Sequence, residues 1–424
     1  MTSTLMSPAL SARYWETEEG GMRKLLLLLV VLFSISVLFA SEDDQSNPYA
    51  PITGNAMRPG YVERTDGLNY VLFGNPAAIG EASFRLQLPY LESSSYNVTE
   101  ALKDPGVAEA LSKITKMQAT KNDFITYILG LVAASGAGFG EVITVDAGAG
   151  AQLRNMALGM NIRAGVHSMP GLDADGQFKP SSSVIGNGYV PSLDFALSAA
   201  FGFRVLDTDV LTLDAGASFH YAQKAYMLQI TSAELGALLN GSKDFDHLPA
   251  RAGFALPFDV GVTVGLLRES IKLELSANNL NGTYHMANYE NSINALILAE
   301  GTDYFEMETP YSLNFRASFN PGFRFCNPTV YAAFTGMNLY VENAKGKPGN
   351  EIFRYLDGGV VVTFLKVLSV RASYRYGYPE FALGAGIFGN AIELVYGFQE
   401  APGARYGEKP IDRLTFRMRL GYGK

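Results

Sequence analysis

Along most of this chain apolar and polar residues alternate one by one, in runs longer than a soluble strand needs. SLNFRAS sets Leu313, Phe315 and Ala317 on one side and Ser312, Asn314, Arg316 and Ser318 on the other. SLDFALSAAFGFR does the same with Leu193, Phe195, Leu197, Phe201 and Phe203 against Asp194, Ser198, Gly202 and Arg204. LTLDAGASFHY, FALPFDVGVTVGL and LTFRMRLGY repeat the pattern. Period two is the signature of a strand with two unlike faces. The runs reach about 9–13 residues, roughly twice the common soluble strand, and a tilted strand crossing a bilayer needs about 9–11. Fourteen such segments can be counted, at about 82–92, 141–150, 153–166, 192–204, 209–223, 254–267, 270–280, 309–319, 328–341, 353–364, 367–377, 380–388, 391–399 and 412–422. An even number returns both termini to one side. The reading is all-β, a 14-stranded antiparallel transmembrane β-barrel over residues 81–424.

The connections sort in the same way. After the even-numbered strands up to the twelfth they are mostly short; after the odd-numbered ones they are long, except for a tight turn at Gly377-Tyr378-Pro379. Short turns on one side and long loops on the other characterise outer-membrane barrels, and a bacterial outer-membrane location follows. The aromatic girdles are expected from Tyr90, Tyr311, Phe319, Tyr378 and Tyr422 at strand ends. Glycine (44 residues), tyrosine (23) and phenylalanine (26) are abundant, as turns and girdles require. A net charge of −8 speaks against a nucleic-acid partner, because phosphate binding needs a basic field. The one cysteine, Cys326, excludes an intramolecular disulfide and is expected to be buried or to face the membrane.

Met22-Arg23-Lys24, the apolar run LLLLLVVLFSISVLFA and the polar SEDD compose a secretory signal. Residues 1–40 are therefore expected to be an over-called start plus signal peptide, with Met22 as initiator and an exported chain beginning near Ser41. Residues 41–80 end in FGNPAAIG. Asn75-Pro76 breaks any helix or central strand, so this lead-in is not a fifteenth strand. A plain tight turn, or a segment tucked into a lumen wide enough to need filling, both fit.

Several long connections read as helices: Thr99–Lys116, FITYILGLVAA from Phe124, TSAELGALL and NSINALILAE. Exposed apolar helices over a barrel mouth must pack on each other as a lid or on a ligand. Phe124, Ile125, Ile128, Leu129, Leu235, Leu238 and Ile297 are the candidates for an outer hydrophobic groove.

The signal, the lead-in ending in Gly74-Asn75-Pro76-Ala77-Ala78 and the fourteen strands together resemble the FadL-type outer-membrane transporters of long-chain fatty acids and other hydrophobic compounds. The C-terminal Gly377-Tyr378-Pro379 turn, Glu400-Ala-Pro-Gly403 loop and strand ends Asn279-Leu280 and Asn338-Leu339 resemble a related branch. The resemblance implies that residues 41–80 form a hatch inside the barrel, with Asn75, Pro76 and Ala77 as its Asn-Pro-Ala box. It further implies uptake of a hydrophobic carboxylate through an outer groove, a pocket above the hatch and a sideways exit. The protein would work as a monomer among outer-membrane lipids, without enzymatic activity. The carboxylate would meet lumen-facing Arg85, Arg163, Arg316, Arg371, Arg375, Arg417 or Arg419, unless these only form ion pairs with the interleaved Asp and Glu. A terminal aromatic, common in such barrels, is replaced by Tyr422-Gly423-Lys424. The alternative function is a barrel that transports nothing and anchors or displays partner proteins; a general diffusion porin is disfavoured by the hatch-like lead.

No cofactor, metal or catalytic group is called for. His167, His220, His247 and His285 lack ligand spacing. The glycine pairs at Gly136-Gly138 and Gly148-Gly150 lie outside any βαβ unit, and Asp173-Ala174-Asp175-Gly176 has no closing Glu for calcium.

Overall fold

The computed structural model describes residues 67–135, 140–171, 188–244, 246, 248–343, 352–387, 390–400 and 410–423. The signal segment, residues 41–66 of the lead-in, His247 and the Gly136-Gly138 and Asp173–Gly176 motifs lie outside them.

Among the described residues fourteen antiparallel staves close on themselves. They are β1 (Phe84–Tyr96), β2 (Gly140–Leu153), β3 (Met156–Met169), β4 (Gly188–Asp207), β5 (Leu211–Met227), β6 (Ala250–Ala255 and Phe258–Leu266), β7 (Ile271–Leu280 and Thr283–Tyr289), and β8 (Thr302–Glu308 and Ser312–Phe319). They continue as β9 (Cys326–Thr335), β10 (Leu356–Phe364), β11 (Leu368–Arg375), β12 (Tyr378–Ile387), β13 (Asn390–Glu400) and β14 (Pro410–Gly423). Each pairs with its sequence neighbours, and β1 pairs with both β2 and β14, which leaves no free edge. Tight turns such as Arg154-Asn155 and Tyr376-Gly377 are set by left-handed residues, with φ of 52° at Arg154, 53° at Tyr376 and 88° at Gly377.

The polarity is inside out. Leu197, Phe201, Phe203, Phe219, Phe315, Leu383 and Phe416 are exposed on the outside, whereas Glu92, Asp146, Ser198, Asp214, Thr415 and Arg417 are buried inside. Such a surface is stable only against hydrocarbon. No described helix is long and apolar enough to cross a membrane. Cys326 is exposed, on the outward side of β9.

Several expectations need correction. Tyr90 and Tyr378 are not girdle residues: Tyr90 is buried among lumen groups, and the Tyr378 hydroxyl donates to Glu400 Oε2 at 2.6 Å. Tyr311 is likewise buried. The ninth strand stops at Thr335, because Gly336 turns left-handed at φ 76° and a helix, Met337–Asn343, follows. The seventh and eighth strands do not end near 280 and begin near 309; each continues outward beyond an interruption.

The long connection between β1 and β2 carries α1 (Val98–Ala101), α2 (Pro105–Thr115) and α3 (Lys121–Ala134), and that between β5 and β6 carries α4 (Ser232–Asn240). Asp104 caps α2 ahead of Pro105, while Thr120/Asp123 and Thr231/Glu234 close capping boxes on α3 and α4. Val107, Tyr127, Leu131, Val132, Leu235 and Leu238 form one apolar cluster that covers part of the barrel mouth. The NSINALILAE segment is helical only over Ser292–Leu296, here α5.

Candidate functional site

The described end of the lead-in, from residue 67, is buried in the lumen. Its helix Leu68–Phe73 is buried at every residue, and the 3₁₀ turn Pro76–Glu81 follows. Asn75 caps that turn: its Oδ1 accepts from Ala77 N at 3.0 Å, and its Nδ2 donates to Thr263 Oγ1 at 3.1 Å. Pro76 stands at the first position, where a missing N–H costs nothing.

Five neighbouring staves make room for it with glycine. A Cβ at Gly150, Gly159, Gly202, Gly216 or Gly261 would lie 2.7, 2.4, 2.2, 2.4 and 2.0 Å from Leu68 Cδ2, Leu72 Cδ1, Ile79 Cγ2, Pro76 O and Asn75 Oδ1. Polar clasps complete the seat. Arg85 donates to Ala78 O (3.1 Å) and Gln152 Oε1 (2.6 Å), and Gln152 Nε2 donates to Ile79 O (2.8 Å). Tyr70 Oη donates to Glu274 Oε1 (2.7 Å), Asn278 Nδ2 donates to Gly74 O (2.8 Å), and Lys272 pairs with Glu81 (2.8 Å).

The register turns all seven candidate arginines inward, but it does not gather them. Arg85 serves the lead-in. Arg163 pairs with Glu141 at 3.3 Å, and Arg316 pairs with Glu274 at 3.6 Å with its guanidinium over the Tyr331 ring. Arg371 meets Glu380 at 3.0 Å, a carboxylate it shares with Arg413. Arg417 bridges Glu92 (2.8 Å) and Glu393 (3.1 Å). Arg375 donates to Tyr376 Oη at 2.9 Å, and Arg419 stands opposite Ala391 and Tyr90. A charge in a partly dry lumen is stable only when so paired.

A different cation occupies an apolar setting. Met169, Val190, Ala222, Tyr226, Ala255, Tyr284, Met286 and Met307 form one buried cluster, with Phe305 and Leu228 against it. Lys224, 4% exposed, lies beside it, its Nζ 3.2 Å from Asp194 and 5.7 Å from the centre of the Tyr284 ring. Sequence reading missed Lys224 because the fifth strand was expected to end at 223; the alternation of Ala222, Lys224 and Tyr226 was the available signal.

Next to this cluster the wall is interrupted in three adjacent staves: at Leu256-Pro257 in β6, Asn281-Gly282 in β7 and Thr309-Pro310-Tyr311 in β8. Side chains reinforce the gap, where Thr309 N–H to Gly282 O, at 3.2 Å, is a backbone bond that still crosses between β8 and β7. Asn279 Nδ2 donates to Thr309 O (3.0 Å), Thr309 Oγ1 (2.8 Å) and Pro310 O (3.1 Å). Thr309 Oγ1 donates to Gly282 O (2.7 Å).

The candidate groove residues divide. Leu235 and Leu238 are buried in the cap cluster, and Ile128 packs against it. Ile125 and Leu129 are half-buried, Phe124 is exposed, and Ile297 lies outside that cluster, exposed just past α5. Outside the membrane, the Thr120 hydroxyl, the Thr120 N–H and the Lys113 ammonium bind Asp123 and hold its carboxyl down to about 2.

Lipid-facing outside, polar inside, closed, and with residues 68–81 seated against its inner wall, this is an outer-membrane-type β-barrel. Similar solved structures include the toluene transporter TodX of Pseudomonas putida (10% identity over 88% of this chain and 95% of that one, TM-score 0.39). A FadL homologue of Pseudomonas aeruginosa also matches (10% identity over 89% and 98%, TM-score 0.40). So does the translocator domain of the autotransporter NalP from Neisseria meningitidis (9% identity over 80% and 88%, TM-score 0.32). No family model and no curated protein matches the sequence.

Proposed function

We propose that this barrel takes up a hydrophobic carboxylate, a long-chain fatty acid or a compound like it, with residues 41–80 acting as a hatch. One observation carries the reading: an apolar, methionine- and tyrosine-lined cluster with a buried lysine lies on the inner wall beside its interruption. A water-filled pore is a poor route for such a ligand, since each CH₂ left in water costs about 0.8 kcal/mol. An apolar pocket removes that cost, and Lys224 offers the head group a counter-ion in exchange for Asp194. Escape into the bilayer would use the interruption at Pro257, Gly282 and Pro310, where the strands of three staves break off and resume. The cap helices would receive the ligand through the half-buried and exposed side chains Phe124, Ile125 and Leu129.

The test is the purified barrel itself. Lipid should co-purify with it, and uptake of oleate by cells should be lost when residues 41–80 are deleted. A barrel that holds no lipid and passes small sugars freely overturns the reading.

A further inference from the structure

We propose that Asp259 is a positioning residue that couples the lead-in to the wall interruption, holding one with each carboxylate oxygen. It rests on the transport reading for its purpose, although not for its test. On one side, the Phe73 ring at the end of the lead-in helix stacks on the imidazole of His220, centroids 5.1 Å apart and planes 16° from parallel. His220 Nε2 lies 3.2 Å from Asp259 Oδ2, and its Nδ1 lies 2.8 Å from Ser198 Oγ. On the other side, Asp259 Oδ1 accepts from the backbone N–H of Asn279 at 2.7 Å.

That N–H is available for a reason. Between β6 and β7 the pairing Phe258↔Leu280 gives way to Val260↔Ala277, so β7 carries one extra residue, and Asn279 is left-handed at φ 60°. A bulge leaves a backbone group without its ladder partner, and a buried orphan of this kind must find another. Asp259 supplies it. Asn279 is also the residue whose amide spans to Thr309 and Pro310. The chain Phe73, His220, Asp259, Asn279, Thr309 therefore runs unbroken from the lead-in to the far side of the interruption. Asn278, beside it, clasps Gly74 O at 2.8 Å. When Phe73 leaves, the imidazole loses the stacked face that helps to fix its plane, and Ser218 Oγ, 3.3 Å from the same Nε2, can compete with Asp259 for it. Asp259 then loses an oriented donor and holds Asn279 less firmly, so the wall loosens where the ligand would leave. Other charged groups facing inward from these staves, Lys224 with Asp194, Arg204 with Asp214 and Glu274 with Arg316, are paired with each other and do not enter the chain.

The test is hydrogen exchange by mass spectrometry on the full chain in detergent, without added ligand. Phe73→Ala should speed exchange of the amides at 279–284 and 308–312 about tenfold, the worth of one charge-assisted hydrogen bond. Asp259→Ala should do the same, and the double variant should be no faster than either single. His220→Ala should match them, whereas His220→Gln, whose amide can donate to Asp259 but offers Phe73 no ring, should keep exchange near wild type and make it insensitive to Phe73→Ala. If Asp259→Ala does not fold, Asp259→Asn replaces it in the cycle and is expected to lie between wild type and Phe73→Ala. Additive effects, or faster exchange in residues 68–78 with residues 279–284 unchanged, overturn the coupling. Non-additivity in a barrel that takes up no oleate would instead sink the transport reading and leave the coupling standing.

Discussion

Gly216 and Pro76 touch backbone to backbone: a Cβ on Gly216 would lie 2.4 Å from the Pro76 carbonyl oxygen and 2.8 Å from Ala77 N. The Asn-Pro-Ala turn is thus pressed against the wall at a point where no side chain can give way. Gly216→Ala should therefore displace the turn. Overpacking of this kind costs about 1–3 kcal/mol. Urea unfolding should show that loss, with faster exchange in residues 68–81. An unchanged midpoint would mean the lead-in is not seated as described.

Lys224→Met separates head-group recognition from apolar binding. On its own it strands Asp194, and breaking one side of a buried pair costs about 3–5 kcal/mol, so it is compared with Lys224→Met/Asp194→Asn. The double variant should bind oleate about tenfold more weakly than wild type, the loss of one charge-assisted contact. Its affinity for methyl oleate should not change. Equal losses for acid and ester would remove Lys224 from the site.

Much of this was legible in the sequence, and the part that was not has a physical cause. Where a strand crosses lipid, its outer face must be apolar at every second position, so period two in SLNFRAS or LTLDAGASFHY could be read directly. At Asn281-Gly282 and Thr309-Pro310 the same sequence carries turn chemistry, which predicts the strand boundaries near 280 and 309. The strands resume because Tyr284 and Met286 meet Met307 and Phe305 across the ladder, and pairing between distant segments leaves no local mark. The lead-in's Asn-Pro break could be seen, while the five glycines that receive it looked like ordinary barrel glycine. The inward face of the arginines followed from alternation. Their partners, such as Glu92 for Arg417, are set by register and could not be read.

Glu380 holds two guanidiniums, those of Arg371 and Arg413, and is 1% exposed. Glu380→Gln leaves two buried cations facing one neutral amide. The expected loss is about 3–5 kcal/mol in urea unfolding. Glu380→Gln/Arg413→Met should recover part of it by removing one of the stranded charges. If the single variant unfolds like wild type, the lumen there is wet enough to solvate the arginines.

The cap should respond to acid independently of the barrel. Asp123 accepts from the Thr120 hydroxyl and N–H and from Lys113 Nζ, and these hold its carboxyl at about 2, below the ordinary 3.8. A carboxyl lowered by folding stabilises the folded state above its unfolded value. That contribution is lost as pH falls from about 3.8 through about 2. The start of α3 should therefore loosen across that window while the fourteen staves stay closed. Because the Lys113 side chain is exposed, added salt should weaken its share and leave the capping bonds from Thr120. A spin label at the exposed Asn122→Cys, with Cys326→Ser to remove the native thiol, reports the change as increased mobility at low pH. Asp123→Asn should flatten the profile, because an amide does not titrate. Should the label's mobility rise in that variant too, the acid response belongs to another group in the cap.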